Sequence, residues 1–370
     1  MANETKKVNT IAITDIEKIM GKTDANIEKL SGLEFAGYSG TAAGFHGPRY
    51  VAIGGFNDAD YSSWARFLRN MDYGSIDSTA NAGDFGDTPL MSNGGTYGSH
   101  MRGTACVSNG TRVVAAQSDS DLSTWPDQNE YITTASTGNS SDHGDMNMGQ
   151  TKTWAGSSSG TYGAWFGCYL NGDGGRDDIR YVTVSSTGNS ADWGDLTYQI
   201  TDGTGVSNAT RGIRINGETR NQNISGYDNI IDYWAWSSTG NASDFGDRSN
   251  HSFDACRNGT EDSVRGIVAG GRAWGGSTTY TNAINNMDYI TIASTGNAVD
   301  FGDLMTQTLS PGGASNGTRG QFMGGYEAFN SPYPLLDNIQ YISFASTGNT
   351  TDAGNLVDAR WEHGTSQGSS

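Results

Sequence analysis

The chain has 370 residues, of which 53 are glycine, only 6 are proline and 10% are aromatic. This composition is typical of short strands joined by tight turns, and the aromatic content is high enough for a packed core, which argues against disorder. The net charge is −18, from 40 acidic and 22 basic residues, and such a negative surface disfavours non-specific binding to nucleic acid or to anionic membranes.

The first 36 residues differ from the rest, because they are rich in Lys, Glu and Ile and poor in glycine. They contain two similar stretches, Asp15–Gly21 (DIEKIMG) and Asn26–Gly32 (NIEKLSG). The pattern predicts two short α-helices of about two turns, each ending at its glycine. Helices of this length are not stable alone in water, so their apolar side chains must be buried against another surface. These side chains are Ile11, Ile16, Ile19, Met20, Ile27 and Leu30.

Two surfaces can bury this apolar set. One is the rest of the same chain, and the other is a partner protein on which the segment orders as it docks. We favour the second. The expected domain organisation is therefore a helical docking or anchor segment at residues 1–36, followed by one larger domain at residues 37–370.

The larger domain repeats one pattern six times: a tyrosine strand, a Ser-Thr-Gly-Asn turn and an Asp-x-Gly-Asp step. The first copy has Ser-Thr-Ala-Asn at the turn, and the last copy has Asp-Ala-Gly-Asn at the step. The copies begin at Tyr73, Tyr131, Tyr181, Tyr233, Tyr289 and Tyr341. Their turn asparagines recur about every 50 to 58 residues, and a period of this size built from short strands is typical of propeller blades.

A second strand of each repeat carries an arginine or tyrosine and ends in small residues. These strands begin near Pro48, Thr111, Thr161, Thr210, Val264 and Thr318. The chain stops where a seventh would start, so we expect a C-terminal strand to complete the first blade and close the ring. The predicted fold is all-β: a six-bladed β-propeller with a short helical N-terminal segment. Seven blades are the alternative, if residues 33–50 contain a degenerate blade.

The repeat resembles kelch-type repeats, in which a strand ending in Gly-Gly is followed by a tyrosine strand, a turn, an aromatic strand and an arginine. Gly324–Gly325, Tyr341, the turn at Asn349 and Arg360 follow this order. The Ser-Thr-Gly-Asn turn and the Phe-Gly-Asp step, where kelch repeats have Trp, depart from it. The sequence STGNAVDFGDL resembles repeat proteins of tailed phages, notably cyanophages, more closely than it resembles kelch-type repeats. The stretch from Ile11 to Phe35 resembles a segment that precedes variable domains in phage virion proteins.

The repeated carboxylates are the first candidates for chemistry. One pair follows each of the first five turn asparagines: Asp84/Asp87, Asp142/Asp145, Asp192/Asp195, Asp244/Asp247 and Asp300/Asp303. Oxygen ligands at this density suit Ca²⁺, but a Ca²⁺ site needs six to eight converging oxygens, whereas a structural turn also repeats in every blade. The structural interpretation is favoured, and no cofactor is expected.

The recurring arginines are the second candidates. Arg112, Arg211, Arg265 and Arg319 occupy one position per repeat, so they either converge on an axis to bind a carboxylate or polyol or make hydrogen bonds between blades. The second interpretation is favoured. The five histidines are scattered without zinc-site or copper-site spacing, and no nucleophile elbow or phosphate-binding loop occurs. The three cysteines suggest buried free thiols. The sequence therefore predicts a protein that is not an enzyme.

The function expected from the resemblance is that of a non-enzymatic virion structural protein of the tail-fibre or appendage type. The N-terminal segment would attach to other virion proteins, and the propeller would present a surface to a host glycan or protein or to other virion proteins. The contact candidates are the aromatic residues of the least regular segments, although each of them can equally pack against a neighbouring blade. They are Tyr61, Trp64, Phe67, Tyr326, Phe329 and Tyr333.

Two other functions remain open, a glycan-active propeller enzyme and a purely architectural capsid or neck decoration protein. The N-terminus shows no secretory signal, and no run of apolar residues is long enough for a transmembrane helix. The expected location is the virion, after synthesis in the host cytoplasm, with no partner in nucleic acid and no insertion into a membrane.

Overall fold

The computed structural model describes part of the chain, and the statements below concern that part. The described residues are 18–19, 22–23, 29–30, 33–34, 46–57, 68–88, 104–116, 128–148, 151–152, 154–170, 174–221, 224–249, 252–253, 255–273, 283–327 and 334–368. The chain divides into two compact units, Met1–Ala42 and Ala43–Ser370. In these described ranges there is no helix, so the expectation of an all-β fold is confirmed for them.

The described residues of the first unit form two pairs of two-residue antiparallel strands. β1 (Lys18–Ile19) pairs with β2 (Lys22–Thr23), and β3 (Lys29–Leu30) pairs with β4 (Leu33–Glu34). The helix prediction is therefore wrong for these residues, and the remainder of both predicted helices lies outside the described ones. In sequence, each strand pair is separated by two residues of which the second is glycine, and this spacing suits a tight hairpin as well as a helix end.

Among its described residues, the second unit contains four separate four-stranded antiparallel sheets and one ten-stranded sheet. The ten-stranded sheet includes two further groups of four strands in the same order, so each repeat contributes one four-stranded group, and these six groups are called sheets I to VI below. Sheet I consists of β34 (Gly364–Gly368), β5 (Arg49–Ile53), β6 (Asn70–Ser75) and β7 (Gly83–Asp87). Sheet II consists of β8 (Ala105–Ser108), β9 (Arg112–Ala116), β10 (Gln128–Thr133) and β11 (Ser141–Asp145). Sheet III consists of β13 (Ala155–Ser158), β14 (Tyr162–Phe166), β16 (Gly174–Thr183) and β17 (Ala191–Thr201).

The remaining three sheets follow the same strand order. Sheet IV consists of β18 (Thr204–Ser207), β19 (Arg211–Asn221), β20 (Ile224–Ala235) and β21 (Ser243–Asp247). Sheet V consists of β23 (Thr260–Glu261), β24 (Arg265–Ala269), β26 (Asn286–Thr291) and β27 (Val299–Asp303). Sheet VI consists of β29 (Gly312–Ser315), β30 (Arg319–Met323), β32 (Asn338–Ser343) and β33 (Thr351–Asn355).

The second unit also contains three pairs of two-residue strands, of which the first belongs to the ten-stranded sheet because β15 also pairs with β16. They are β12 (Thr151–Lys152) with β15 (Tyr169–Leu170), β22 (Ser252–Phe253) with β25 (Arg272–Ala273), and β28 (Thr308–Leu309) with β31 (Tyr326–Glu327). Sheets III and IV are also joined directly, because β17 pairs with β19.

The strand that completes sheet I comes from the far end of the chain. β34 pairs antiparallel with β5, with Gly364 opposite Ile53 and Gly368 opposite Arg49. The first strands of the six sheets then contact one another in a closed circle: β34, β8, β13, β18, β23, β29 and again β34. The described residues show no seventh four-stranded sheet.

The apolar core lies between successive sheets. The residues of each first strand are buried throughout. In contrast, five of the six fourth strands bury only their central residue and leave their carboxylates exposed or half-exposed; the exception is the longer β17. One core cluster joins sheets I and II, with Val51 and Phe85 against Cys106 and Val113. Another joins sheet VI to sheet I through Met323 and Tyr50. Burial of apolar surface thus binds the last sheet to the first as it binds each other neighbouring pair.

Candidate functional site at the loop end of the sheets

The two ends of the six sheets differ in their connections. At one end, which we call the turn end, the first strand joins the second and the third joins the fourth through short and similar turns, such as residues 109–111, 208–210 and 316–318. At the opposite end, the loop end, the second strand joins the third and each sheet joins the next through segments of very different length. Residues 54–69 form one such connection, and residues 222–223 form another.

The Ser-Thr-Gly-Asn turns lock neighbouring sheets together at the turn end. Each turn asparagine accepts, through its side-chain oxygen, a hydrogen bond from the last backbone N–H of the preceding sheet's Asp-x-Gly-Asp or Asp-x-Gly-Asn step. The donor and acceptor residues are Asp87 and Asn139, Asp145 and Asn189, Asp195 and Asn241, Asp247 and Asn297, Asp303 and Asn349, and Asn355 and Asn81. The last pair closes the circle from sheet VI to sheet I.

The glycine of the Asp-x-Gly-Asp step is required because the neighbouring turn lies directly against it. A Cβ on Gly302 would lie 2.4 Å from the carbonyl oxygen of Gly348 in the next turn, and Gly302 also has a positive φ of 142°. Real Cβ atoms do not approach this closely, and a positive φ strains residues that have a side chain. The repeated glycine is therefore a consequence of packing between sheets.

A matched pair of substitutions tests this packing. We expect Gly302→Ala to destabilise the protein by about 1–3 kcal/mol more than Gly348→Ala, measured by denaturant unfolding. Both glycines have positive φ, 142° and 158°, so both variants carry a backbone cost, but a Cβ on Gly348 meets nothing within 4 Å. Equal losses in the two variants would contradict the close approach.

The repeated carboxylates also bind backbone groups. Asp84, Asp142 and Asp352 each accept a hydrogen bond from the N–H of the glycine two residues later, at 3.0–3.2 Å. This is the local capping expected of aspartate in a turn. Among the residues that the structure describes, there is no group of three or more His, Cys, Asp or Glu side chains placed to bind a metal ion.

The recurring arginines link sheets rather than converge on a ligand. Arg112 lies over the ring of Tyr131, 4.0 Å from its centroid, and donates from Nη1 to the backbone oxygen of Val184 in the next sheet. The same two contacts recur for Arg49, Arg211, Arg265 and Arg319. The favoured interpretation, in which these arginines make hydrogen bonds between neighbouring repeats, is therefore confirmed. In sheet III, Tyr162 takes the arginine's place and packs edge-on against Tyr181.

Neighbouring first strands approach one another closely at glycines, and the side chain of Asn258 bonds to two of these strands. Asn258 donates from Nδ2 to the backbone oxygens of Cys106 and Gly156 and accepts from the N–H of Cys106 through Oδ1, so it joins sheet V to sheets II and III. A Cβ on Gly205 would lie 1.9 Å from the oxygen of Gly156. The sequence did not reveal this role of Asn258, because the sequence Asn258-Gly259-Thr260 is the same as that of surface turns such as Asn316-Gly317-Thr318.

An apolar cluster lies at the loop end between sheets V, VI and I. It contains Phe56, Ala283, Leu309, Tyr326, Leu335 and Trp361, and we call it the loop-end cluster. The rings of Phe56 and Tyr326 both meet Trp361 edge-on, with centroids 5.9 and 4.7 Å away. The hydroxyl of Tyr326 is hydrogen-bonded to Arg272. A sequence signal for Trp361 did exist: this tryptophan follows the last repeat, and the other repeats have no tryptophan at the same position. The predictions from the sequence did not use it.

The predicted contact residues have separate outcomes. Tyr326 is buried, so of the two alternatives given for this residue, an exposed contact or packing against its neighbours, the structure shows packing. Tyr61, Trp64, Phe67, Phe329 and Tyr333 lie outside the described residues, as do Ile11, Ile16, Met20 and Ile27 of the docking set. Ile19 and Leu30 lie in β1 and β3, and their side chains are not described.

The structure describes the residues that flank the two segments with the predicted aromatic contacts. Backbone hydrogen bonds join the residues on either side of each segment, from Leu68 to Gly55 around residues 58–67 and from Glu327 to Pro334 around residues 328–333. The first segment follows Phe56 and the second follows Tyr326, and both residues pack on Trp361. Two segments that are distant in sequence therefore begin at one cluster.

Buried ion pairs join residues from different sheets. Arg360 contacts Asp72 at 2.8 Å, and Arg248 contacts Asp288 at 2.6 Å, with all four side chains at most 2% exposed. Burial raises the pKa of Asp72, and the Arg360 guanidinium opposes the rise. Arg257 contacts Asp202 at 2.8 Å and Glu362 at 3.6 Å, so this arginine joins sheet V to residues that precede the first strands of sheets IV and I.

Comparison with known proteins adds no relative. No protein-family model matches the chain, and no curated protein matches it. A search of the described residues for a helix long and apolar enough to cross a membrane found none.

Proposed function

We propose that residues 43–370 form a six-bladed, kelch-like β-propeller that serves as a non-enzymatic binding module of a tailed-phage virion. In this proposal the N-terminal segment attaches the protein to other virion proteins. The loop end of the propeller contacts the host surface, as a glycan or protein, or another virion protein. The virion is the proposed location.

One observation carries the binding role: the two ends of the six sheets are built differently. The turn end repeats one set of hydrogen bonds in every sheet, whereas the loop end places connections of unequal length and sequence on that constant base. Rigid scaffolds that carry variable loops are the usual arrangement of binding proteins, because the scaffold holds the loops without dictating their sequences. The closed circle of first strands supports the propeller.

The virion assignment is supported by the resemblance of the repeat and of the N-terminal stretch to phage proteins. The engagement of the repeated aspartates and arginines in turns and between sheets favours binding over catalysis, because the residues that suggested chemistry already have structural roles. A glycan-active enzyme and a purely architectural decoration protein are the outcomes that would replace the proposal.

The segment at residues 58–67 provides the test. We expect replacement of these ten residues by a short Gly-Ser linker to leave thermal unfolding unchanged and to abolish saturable binding to host cells, measured with purified labelled protein. The fold should tolerate the change, because the hydrogen bond from Leu68 to Gly55 holds the two ends of the segment together, at 3.0 Å.

A matched variant separates the side chains from the length of the segment. Replacement of Tyr61, Trp64 and Phe67 by serine should also remove binding, because aromatic side chains supply much of the energy of protein and glycan contacts. Loss of folding in either variant would contradict the proposal. Release of products from host polysaccharide would establish the enzyme, and full binding by both variants together with a position inside the purified particle would establish the architectural role.

A further inference from the structure

The histidines that the structure describes lie at the borders of one pair of sheets. There are three of them among the described residues: His143 lies between sheets II and III, His363 lies between sheets VI and I, and His46 precedes β5 and contacts sheets V and VI. We call the contact between two neighbouring sheets a seam. The core of the seam between sheets I and II contains no histidine among the described residues.

His143 occupies a position that is aromatic in most of the other sheets. It is the central residue of β11, and the central residues of the equivalent strand segments are Phe85, Trp193, Phe245, Phe301 and Ala353. Each of the four aromatic residues packs edge-on against the tyrosine of its own repeat. The ring of His143 packs against Tyr131 in the same way, with centroids 6.1 Å apart, and the residue is 2% exposed. This histidine therefore fills an apolar slot.

A cation lies beside this imidazole. Arg112 lies over the same Tyr131 ring, 4.0 Å from its centroid, and donates a hydrogen bond of 3.4 Å to Val184 of sheet III. The equivalent arginine bonds in the other sheets are shorter, at 2.6–3.2 Å. Neither ring nitrogen of His143 has a hydrogen-bond partner among the described residues. A proton on this ring therefore places a second positive charge beside Arg112 in a buried site.

The second histidine lies in a slot made by glycines. His363, which precedes β34, is fully buried. A Cβ on Gly312 or Gly324 of sheet VI would lie 2.6 or 2.8 Å from its ring, and a Cβ on Gly55 of sheet I would lie 2.8 Å from its own Cβ. Within the described part of the chain neither ring nitrogen has a hydrogen-bond partner, and the charge that acts on the ring is that of Arg360. A neutral ring is thus enclosed between two sheets.

The third histidine holds the chain that leads into sheet I. His46 Nδ1 lies 3.2 Å from Ser315 Oγ on β29, and Nε2 lies 3.1 Å from Ser263 Oγ in the turn of sheet V. The hydroxyl proton of Ser315 is donated to the backbone oxygen of Glu261, 2.6 Å away, so Nδ1 donates to Ser315 and Nε2 accepts from Ser263. Protonation of Nε2 removes the acceptor on which the bond with Ser263 depends.

We propose that His143 and His363 make seams II/III and VI/I sensitive to acid, so that acid loosens sheets I and II, as a pair, from sheets III to VI. A neutral imidazole suits an apolar slot, whereas an imidazolium needs water or an anion. The charged groups that act on the first ring are Arg112 and the exposed Asp142, and Arg360 acts on the second. Neither slot encloses a carboxylate for the ring, so opening of the seam favours protonation.

The sign of the effect follows from the neutral state of the rings. Burial, reinforced by Arg112 and by Arg360, lowers the pKa of His143 and of His363. Burial also lowers the pKa of His46 to about 4. An exposed histidine has a pKa of about 6.5, so both seams keep their full strength above pH 6.5 and lose it as pH falls. Each histidine released increases the opening equilibrium by at most about tenfold per pH unit.

The buried carboxyl groups near these seams act in the opposite direction. Burial raises the pKa of Asp72, which pairs with Arg360, and of Glu261, whose backbone oxygen accepts the hydrogen bond from Ser315. A raised pKa stabilises the folded protein as pH falls. A loss of seam strength in acid therefore does not come from these two groups.

Equivalent backbone hydrogen bonds across the seams provide matched reporters. In each, a glycine N–H donates to a backbone oxygen on the other side of the seam. The donor and acceptor residues are Gly188 and His143 for seam II/III, Gly138 and Phe85 for seam I/II, Gly325 and Arg360 for seam VI/I, and Gly271 and Thr308 for seam V/VI. The first and third bonds report on the proposed seams, and the other two are their controls.

The test is hydrogen–deuterium exchange of the full-length protein at pH 4.5 to 7.5. It is read by mass spectrometry on peptides that contain these four glycines and corrected for the pH dependence of exchange in an unstructured peptide. We expect the corrected exchange of Gly188 to rise as pH falls below 6.5, by up to about tenfold per pH unit. That of Gly325 should rise by up to about a hundredfold per pH unit, because two histidines act on its seam. Gly138 and Gly271 should show no rise.

The matched variant is His143→Phe, because phenylalanine occupies this position in three other sheets. It should remove the slope at Gly188 and leave the slope at Gly325. The double variant His363→Gln with His46→Gln, whose new side chains are polar but neutral, should have the reverse effect.

Two results would overturn the proposal. One is a slope at Gly188 that persists in His143→Phe or is missing from the wild-type protein. The other is an equal slope at all four glycines in the wild-type protein, because that result means global unfolding. If the double variant does not fold, His143→Phe decides the proposal alone.

Discussion

Deletion of residues 364–370 is expected to abolish the cooperative thermal unfolding of the protein, measured by circular dichroism. The deletion removes β34, whose five residues are buried and which pairs with β5 and contacts the first strands of both neighbouring sheets. Without it, β5 presents an unpaired edge, and the apolar residues Tyr50 and Val51 lose their cover. Sheet I also loses the contacts that its first strand makes with the first strands of sheets II and VI.

Two controls separate this effect from the mere loss of chain. Deletion of residues 1–42 removes a separate compact unit and should leave the transition in place. A circular permutant that joins Gly368 to His46 and begins at Gln150 should also unfold cooperatively, because Gly368 and Gly47 already lie together and the new termini fall in a connection between sheets. A truncated protein that melts like the intact one would show that β34 does not close the circle.

The second large effect is expected at the buried pair of Arg360 and Asp72. Arg360→Met should lower the free energy of unfolding by about 3–5 kcal/mol, measured in denaturant, because it leaves the carboxylate of Asp72 buried without its cation. The same arginine donates hydrogen bonds to the backbone oxygens of Gly54 and Asn70, so its replacement by methionine also removes these two hydrogen bonds.

The matched control is Arg176→Met. Arg176 contacts Asp178 at 2.8 Å, the same distance as in the buried pair, but the two side chains are 32% and 22% exposed. The expected loss there is about 1 kcal/mol or less, because water screens the pair. Adding Asp72→Asn to Arg360→Met should restore part of the stability by removing the isolated charge. Equal losses at Arg360 and Arg176 would contradict the role of burial.

The repeat allowed much of the fold to be predicted. Six tyrosine strands, six turns and six arginine- or tyrosine-containing strands correspond to six sheets, because each repeat supplies the strands of one sheet. The favoured structural interpretation of the aspartates and arginines agrees with the observed contacts for a related reason. Residues that recur in every repeat meet the same neighbours in every sheet, and here those neighbours are backbone groups of the adjacent sheet.

The candidate site could not be predicted in the same way. Phe56, Tyr326 and Trp361 come from three places in the chain and share no repeated pattern, so nothing in their spacing shows that they meet. Tyr326 looked like a contact residue because it lies in an irregular segment, but its ring is buried against Trp361. The short strands at residues 18–34 were missed because a glycine at the end of a charged, apolar stretch is compatible with both a helix end and a hairpin.

By itself, the sequence determined that the repeat region is all-β, that this region is built from six equivalent units and that the first residues of the chain are different in kind, because local patterns record strand, turn and period. The tertiary structure decided that Phe56, Tyr326 and Trp361 meet in one cluster and which carboxyl groups are buried. Those features depend on contacts between residues that are far apart in the chain. Such contacts produce no recognisable pattern in the sequence around each residue, so they cannot be predicted from it.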